Sequence, residues 1–333
     1  MTHKICNSKG TSITLTEMGA GIVSVLFPDK NGLMGDIVLG YRDVKDYFQD
    51  DPCAGKIPGR FANRIDKGFF TLEGKSYSLA TNNGPNHLHG GPLGFSNKEW
   101  DAKPLAGNRI AFSLKSPDGD EGYPGNLSVK ATYTITEEDV IELEIEAATD
   151  ATTIINLTNH TYWNLRGEDS GCVWDQTLQI NAQGWLPTSD SSIPTGFISP
   201  VEGTPMDFRA PKKIGRDIKA DFPALKIGKG YDHCWVIDGA SGELRQAAIL
   251  SDEVSGRRLE VWSDQPGMQV YTGNWLAGSP ISKSGRSYND YDGVAMECQN
   301  FPDAINKPGF PSPILHPGET YRRRIQFRLS VEK

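Results

Sequence analysis

Glu297 and His160 are the two residues of this 333-residue chain best suited to moving protons. Read as a strand, Val294-Ala295-Met296-Glu297-Cys298-Gln299 puts Val294, Met296 and Cys298 on one face and Glu297 and Gln299 on the other. Met296 and Cys298 signal a buried region, where a carboxylate needs a partner or a task. The same period through Asn156-Leu157-Thr158-Asn159-His160-Thr161-Tyr162-Trp163-Asn164 gathers Asn156, Thr158, His160, Tyr162 and Asn164 on one polar, aromatic face. In Met268-Gln269-Val270-Tyr271, Gln269 and Tyr271 lie opposite the apolar pair. A sheet with one oily face and one face of amides, phenols, histidine and glutamate suits a sugar, which offers hydroxyls to bond and a C–H face to stack on rings.

Three further segments read as loops that could close over such a face. Gly59–Ile65 offers an exposed Asn63–Arg64 pair, and Gly230–His233 places Asp232 at a strand entrance. Asn83–Gly91 is a glycine-rich turn presenting His87 and His89. A His-x-His pair on a strand points both rings one way and could begin a metal site. No third ligand at suitable spacing is evident, so no metal is expected. Singly, each residue also has a plain structural reading: His160 as a hydrogen-bonded core histidine, Arg64 as a loop brace, Glu297 as a solvated edge charge.

The elements that must position these residues are nearly all strands. Leu127, Val129, Ala131, Tyr133 and Ile135 alternate with polar neighbours, turn at Glu137-Glu138-Asp139, and return as Ile141 to Ala147. That pattern is a hairpin with one buried face. Phe69–Leu72 and Ser76–Leu79 flank Glu73-Gly74-Lys75 as another. Further strands are expected at Gly21–Phe27, Asp36–Tyr41, Ile110–Leu114, Thr153–Trp163, Thr177–Asn181, His233–Ile237, Ala247–Leu250, Leu259–Trp262, Met268–Tyr271, Val294–Gln299 and Tyr321–Leu329. Arg42–Asp50 is the one helix candidate. With 36 glycines and 21 prolines between short strands, the pattern predicts an all-β fold, a large antiparallel β-sandwich forming one domain over residues 1–333. The proline-rich Phe301–Pro317 reads as an ordered loop, and Arg322-Arg323-Arg324 as part of a solvated edge strand.

Bulk properties exclude several classes. The net charge of −8 disfavours a nucleic-acid partner. No stretch approaches the ~20 apolar residues of a membrane span, and Met1-Thr2-His3-Lys4-Ile5-Cys6 lacks the apolar core of a signal peptide. Five scattered cysteines without a CxxC pair argue against a disulfide framework and for a reducing cytoplasm. No dinucleotide or P-loop glycine string occurs, so no cofactor is implied.

Jointly, the motifs carry a resemblance. Gly59–Ile65, Asn83–Gly91, Gly94-Phe95-Ser96-Asn97-Lys98-Glu99-Trp100, Asn156–Leu165, Tyr271-Thr272-Gly273-Asn274 and Glu297–Asn306 occur in the order found in the aldose 1-epimerases. The resemblance spans essentially the whole chain and implies the galactose mutarotase type of β-sandwich. It also implies Glu297 as catalytic base and His160 as catalytic acid, with Asn63, Arg64, His89, Asp232 and Gln269 holding the sugar. Interconverting the anomers of a free aldohexose such as galactose or glucose removes a proton from the C1 hydroxyl while adding one to the ring oxygen. The expectation is Glu297 as carboxylate and His160 as imidazolium, each favouring the other's charge. The rivals are an inverting glycoside hydrolase with Asp232 and Glu297 as its carboxylates, and a non-catalytic sugar-binding module. A phosphosugar would call for more basic residues than Arg64. Neither the preferred aldose nor the oligomeric state is legible.

Overall fold

In a computed structural model, residues 1–332 are described. Alternation builds two large antiparallel sheets. The larger has nine strands, in the order Lys212–Lys213, Thr177–Ile180, Arg245–Ser251, Arg257–Ser263, Tyr321–Val331, Val140–Thr149, Leu127–Ile135, Arg109–Ser116 and Asp101–Leu105. The smaller has six: Tyr162–Trp163, Val294–Gln299, Gly267–Tyr271, Asp232–Val236, Gly184–Leu186 and Ser199–Pro200. A four-stranded N-terminal sheet, Thr2–Cys6, Ser12–Thr16, Gly21–Pro28 and Met34–Asp36, adds to these.

The core lies between the large sheets. One apolar cluster joins Leu143, Ile145, Val261 and Phe327 of the nine-stranded sheet to Met268, Val270, Val294, Met296 and Cys298 of the six-stranded sheet. With one face of the six-stranded sheet committed to this core, the two-residue period turns Glu297, Gln269 and Tyr271 to the other face. Burying the oily face thus fixes where the polar residues point.

Four expectations change. Thr153–Trp163 is not one strand: only Thr153–Ile154 and Tyr162–Trp163 pair in sheets. The stretch between is buried and irregular, with its backbone groups satisfied by loops, as in Asn156 N–H to Arg60 O and Ala62 N–H to Asn156 O. Asp36–Tyr41 keeps strand pairing only to Asp36 and isolated bridges at Val38 and Tyr41. Arg42–Asp50 holds a single 3-10 turn, Val44–Tyr47, and the α-helix among the described residues is the six-residue Pro223–Gly228. Arg322–Arg324 belong to Tyr321–Val331, a strand that is central in the sheet from Ile325 onward, but they themselves pair only with Val140–Thr149, because the register with Arg257–Ser263 begins at Ile325. Their solvated face is real, since Arg322 is exposed and pairs with Glu146 across the strands, and on the other edge Arg324 bonds Asp264, just past the end of the neighbouring strand. Among the described residues no helix is long and apolar enough to cross a membrane.

Candidate active site

The six-stranded sheet supplies the floor of the site in register. Gln269 lies opposite Glu297 on one side and Cys234 on the other, and Tyr271 lies opposite Ala295 and Asp232. These pairs share the face turned from the core. Tyr162, opposite Ala295 on the edge strand, joins them. Asp232 opens its strand as expected, and Gln269 donates its amide N–H to Asp232 Oδ1 at 2.6 Å. Gln269 therefore sits against Asp232 rather than on the cleft wall.

His160 reaches this face from the irregular stretch. Its backbone N–H donates to Lys56 O at 2.9 Å, and its carbonyl accepts from Gly55 N–H at 2.9 Å. Its ring places Nε2 3.4 Å from Glu297 Oε1, and side-chain exposures of 5% and 2% leave both groups nearly dry. Tyr162 and Tyr271 flank the imidazole, with ring centroids at 5.0 and 6.4 Å. Such burial penalises charge. It pushes His160 down to about 4 and raises Glu297 well above the ordinary carboxylate range, with Asp232 adding to the rise and Arg64 opposing it. Desolvation is thus the leading influence on both groups, and it favours the neutral form of each over the carboxylate and imidazolium expected from sequence.

The walls come from two loops that brace each other. Asn63 and His89 exchange backbone and side-chain bonds: Asn63 N–H donates to His89 Nδ1 at 3.1 Å, and His89 N–H donates to Asn63 O at 3.1 Å. With Nδ1 accepting, the neutral His89 ring carries its hydrogen on Nε2 and offers a donor. Arg64 begins a short strand, Arg64–Ile65, paired with His87–Leu88. Its Nε donates to Asn83 Oδ1 at 3.0 Å, and Nη2 stands 3.6 Å from Asp232 Oδ2. Asn63 is buried at 4% exposure, so the pair is not the exposed one expected.

The two turn histidines part company. His87 ends inside the protein, donating from Nδ1 to Ala80 O at 2.7 Å and accepting from the Tyr123 hydroxyl at 2.7 Å. His89 has φ 53°, so alternation stops at the end of its strand and the rings no longer point together. The metal argument from sequence changes with it. Ligand atoms of His89, His160 and Glu297 lie within 4.8 Å of one another, so the fold supplies the missing third group from remote segments. The set fits a metal poorly, because the Asn63 N–H already occupies the Nδ1 lone pair of His89 and a metal on Nε2 would force the other tautomer against that donor.

Asn63, Arg64, His89, His160, Asp232 and Glu297 all line one cleft of about 420 Å³, within the range that holds small ligands. Sequence reasoning put Tyr162 and Tyr271 on the polar face without assigning them to the site. It missed Asn83, Asp51, Ser192 and Trp275, which also line the cleft. Asn83 stood in a motif already noted, but the other three lie in loops that carry no periodic signal.

Comparison with known proteins agrees with this architecture. The family model for aldose 1-epimerase matches residues 1–328. Galactose mutarotase of Sus scrofa is 42% identical over 319 residues, covering 96% of this chain and 91% of that protein. Aldose 1-epimerase of Escherichia coli K12 is 34% identical, covering 98% and 94%. Among solved structures, an aldose epimerase homologue from C. elegans superposes with a TM-score of 0.92 at 31% identity, covering 100% of this chain and 99% of that one. Galactose 1-epimerase from Lactobacillus acidophilus gives 0.87 at 28%, with the same coverage. A family match over nearly the whole chain, together with relatives this similar along their length, shows that the chain belongs to the aldose 1-epimerase family.

Proposed function

We propose that this enzyme interconverts the α and β anomers of a free aldohexose, galactose or glucose, with Glu297 and His160 exchanging the protons. The observation that carries the reading is the 3.4 Å approach of His160 Nε2 to Glu297 Oε1 on the floor of a sugar-sized cleft. Ring opening needs a base at the C1 hydroxyl and an acid at the ring oxygen together. A pair that shares one proton provides both, and it does so on either side of the step. Burial favours the neutral form of each group; placing the shared proton on His160 gives the carboxylate and imidazolium that open the ring. Sugar hydroxyls and the Arg64 guanidinium, which already favours the charged form of Glu297, stabilise that state. Glu297 then takes the C1 hydroxyl proton and His160 gives its own to the ring oxygen. Rotation about C1–C2 and the reverse transfers close the other anomer. Each positioned group contributes about 10²–10⁴-fold. Arg64, Asp232, His89 and Asn63 hold the hydroxyls, with Gln269 fixing Asp232. The five free cysteines suit a reducing compartment such as the cytoplasm.

Polarimetry of freshly dissolved α-D-galactose tests the reading. Wild type should speed the approach to equilibrium and leave α- and β-galactosides uncut, since a glycoside has no C1 hydroxyl proton. Glu297→Gln, which keeps size and hydrogen bonding but cannot act as a base, should bind galactose yet barely exceed the buffer rate, with the loss in kcat. Hydrolysis by wild type, or full mutarotation by the variant, would overturn it.

A further inference from the structure

A second charged pair lies behind His160, and no part of the chemistry above uses it. Lys56 and Asp50 form an ion pair with side-chain exposures of 1% and 0%. The Lys56 ammonium also donates to Tyr47 O at 2.5 Å and to Asn97 Oδ1 at 3.3 Å. Asp50 accepts from the Tyr41 hydroxyl at 3.0 Å and from Ala54 N–H at 2.8 Å through its other oxygen. The fold makes room for this lysine. A Cβ at Gly19 would lie 2.9 Å from the Lys56 side chain, and one at Gly21 would lie 3.1 Å away.

Burying two charges is a poor way to gain stability. Their desolvation cancels most of the attraction, and well-packed apolar residues serve as well or better. What such a pair does supply is a single geometry, because only one arrangement satisfies both charges. Here that geometry is passed on directly. Residues 55 and 56, between the Ala54 amide held by Asp50 and the Lys56 side chain, are those whose backbone holds His160 from both sides. Asn159 adds a bond from its amide to Gly55 O at 2.8 Å. On the far side of the same loop, Pro52 O accepts from the hydroxyl of Tyr162, which packs on the imidazole.

We propose that the buried Lys56–Asp50 pair is the positioning device for His160, setting the ring's distance from Glu297 through the backbone of residues 55–56. The inference rests on the reading of His160 as the proton donor. Neither residue itself lines the cleft, although Asp51 and Pro52 of the same loop do; positioning of His160 is read in kcat, and any shift of the wall in KM.

The test is the double variant Lys56→Met with Asp50→Asn, which removes both charges together and leaves neither uncompensated. Polarimetry with α-D-galactose should show kcat falling about tenfold or more at unchanged KM, as a displacement on the order of 1 Å at a reacting group costs up to about 10²-fold. A folded double variant with wild-type kcat, or one whose KM rises in step with the loss of rate, overturns the proposal. Tyr41→Phe is the milder probe: it takes one donor from Asp50 and keeps both charges. If the double variant does not fold, a reduced kcat at unchanged KM in Tyr41→Phe supports the proposal, and wild-type kinetics in it assign the pair to stability alone. His160→Gln separates this outcome from failure of the underlying reading. An active, folded His160→Gln removes His160 from the chemistry, whereas an inactive His160→Gln beside a fully active double variant sinks only the positioning role.

Discussion

At the scale of single residues, the site is a set of groups each held in one state by a specific neighbour. Arg64 is fixed by Asn83 and approaches Asp232, so its guanidinium presents the same donors to sugar and to transition state. Arg64→Ala should therefore raise KM and lower kcat/KM by about 10²-fold, the cost of about 3 kcal/mol for a charged hydrogen bond in a dry cleft; unchanged kcat/KM would take Arg64 out of the site. His89 is held as an Nε2 donor by the Asn63 N–H. A donor hydrogen-bonds a hydroxyl and does not ligate, so dialysis against EDTA should leave the mutarotation rate unchanged. Loss of rate restored by zinc would show instead that His89, His160 and Glu297 act as ligands.

The elements bring these residues together by backbone contact more than by side-chain packing. Gly90 shows this best. It has φ 84°, and a Cβ there would stand 1.7 Å from Gly59 O, so the turn carrying His89 lies directly on the loop carrying Asn63 and Arg64. No side chain fits that gap, and the backbone conformation itself disfavours any residue but glycine. Gly90→Ala should cost about 1–3 kcal/mol from strain, with further loss from the clash, and the folded fraction should bind galactose more weakly because the two loops part. A denaturant melt alongside a galactose titration checks both. Wild-type stability would mean that the loops are not in contact in solution.

Across the whole molecule, burial of titratable groups sets the response to acid. His87, His160 and His233 are each pushed down to about 4 by desolvation, whereas an unfolded histidine titrates near 6.5. Between those values the unfolded chain binds protons that the folded chain refuses, so stability is fully present above about pH 6.5 and is lost as pH falls toward 4. Each histidine should cost about 2 kcal/mol between pH 7 and pH 5. Glu297 and Asp50, both raised by burial, work the other way, because the folded state binds their protons first as pH falls. His87 lies outside the cleft, so His87→Gln should narrow the difference between denaturation midpoints at pH 7 and pH 5. An unchanged difference would show that His87 is charged or exposed in the native state.

Much of this was open to a reader of the sequence. The long hairpin Leu127–Ile135 with Val140–Thr149, and the strands carrying Gln269 and Glu297, followed from a period of two, since a sheet buried on one face must alternate. Glu297 was marked by a carboxylate among apolar neighbours, and the family by motifs that recur in order. Tertiary structure decided the rest. His160 sits on a buried irregular stretch whose hydrogen bonds go to distant loops, so no local pattern could separate it from a strand. The tyrosine-capped, solvent-poor position of His87 and the cleft-facing position of His89 depend on one left-handed residue at the strand end. The central place of Tyr321–Val331 depends on pairing with strands from residues 140–149 and 257–263, which alternation cannot specify. The charge state of the His160–Glu297 pair was beyond the sequence for a related reason. Residue types give the attraction between the two groups, but only the packed fold determines how much water is removed from them, and here that desolvation is the first influence on each.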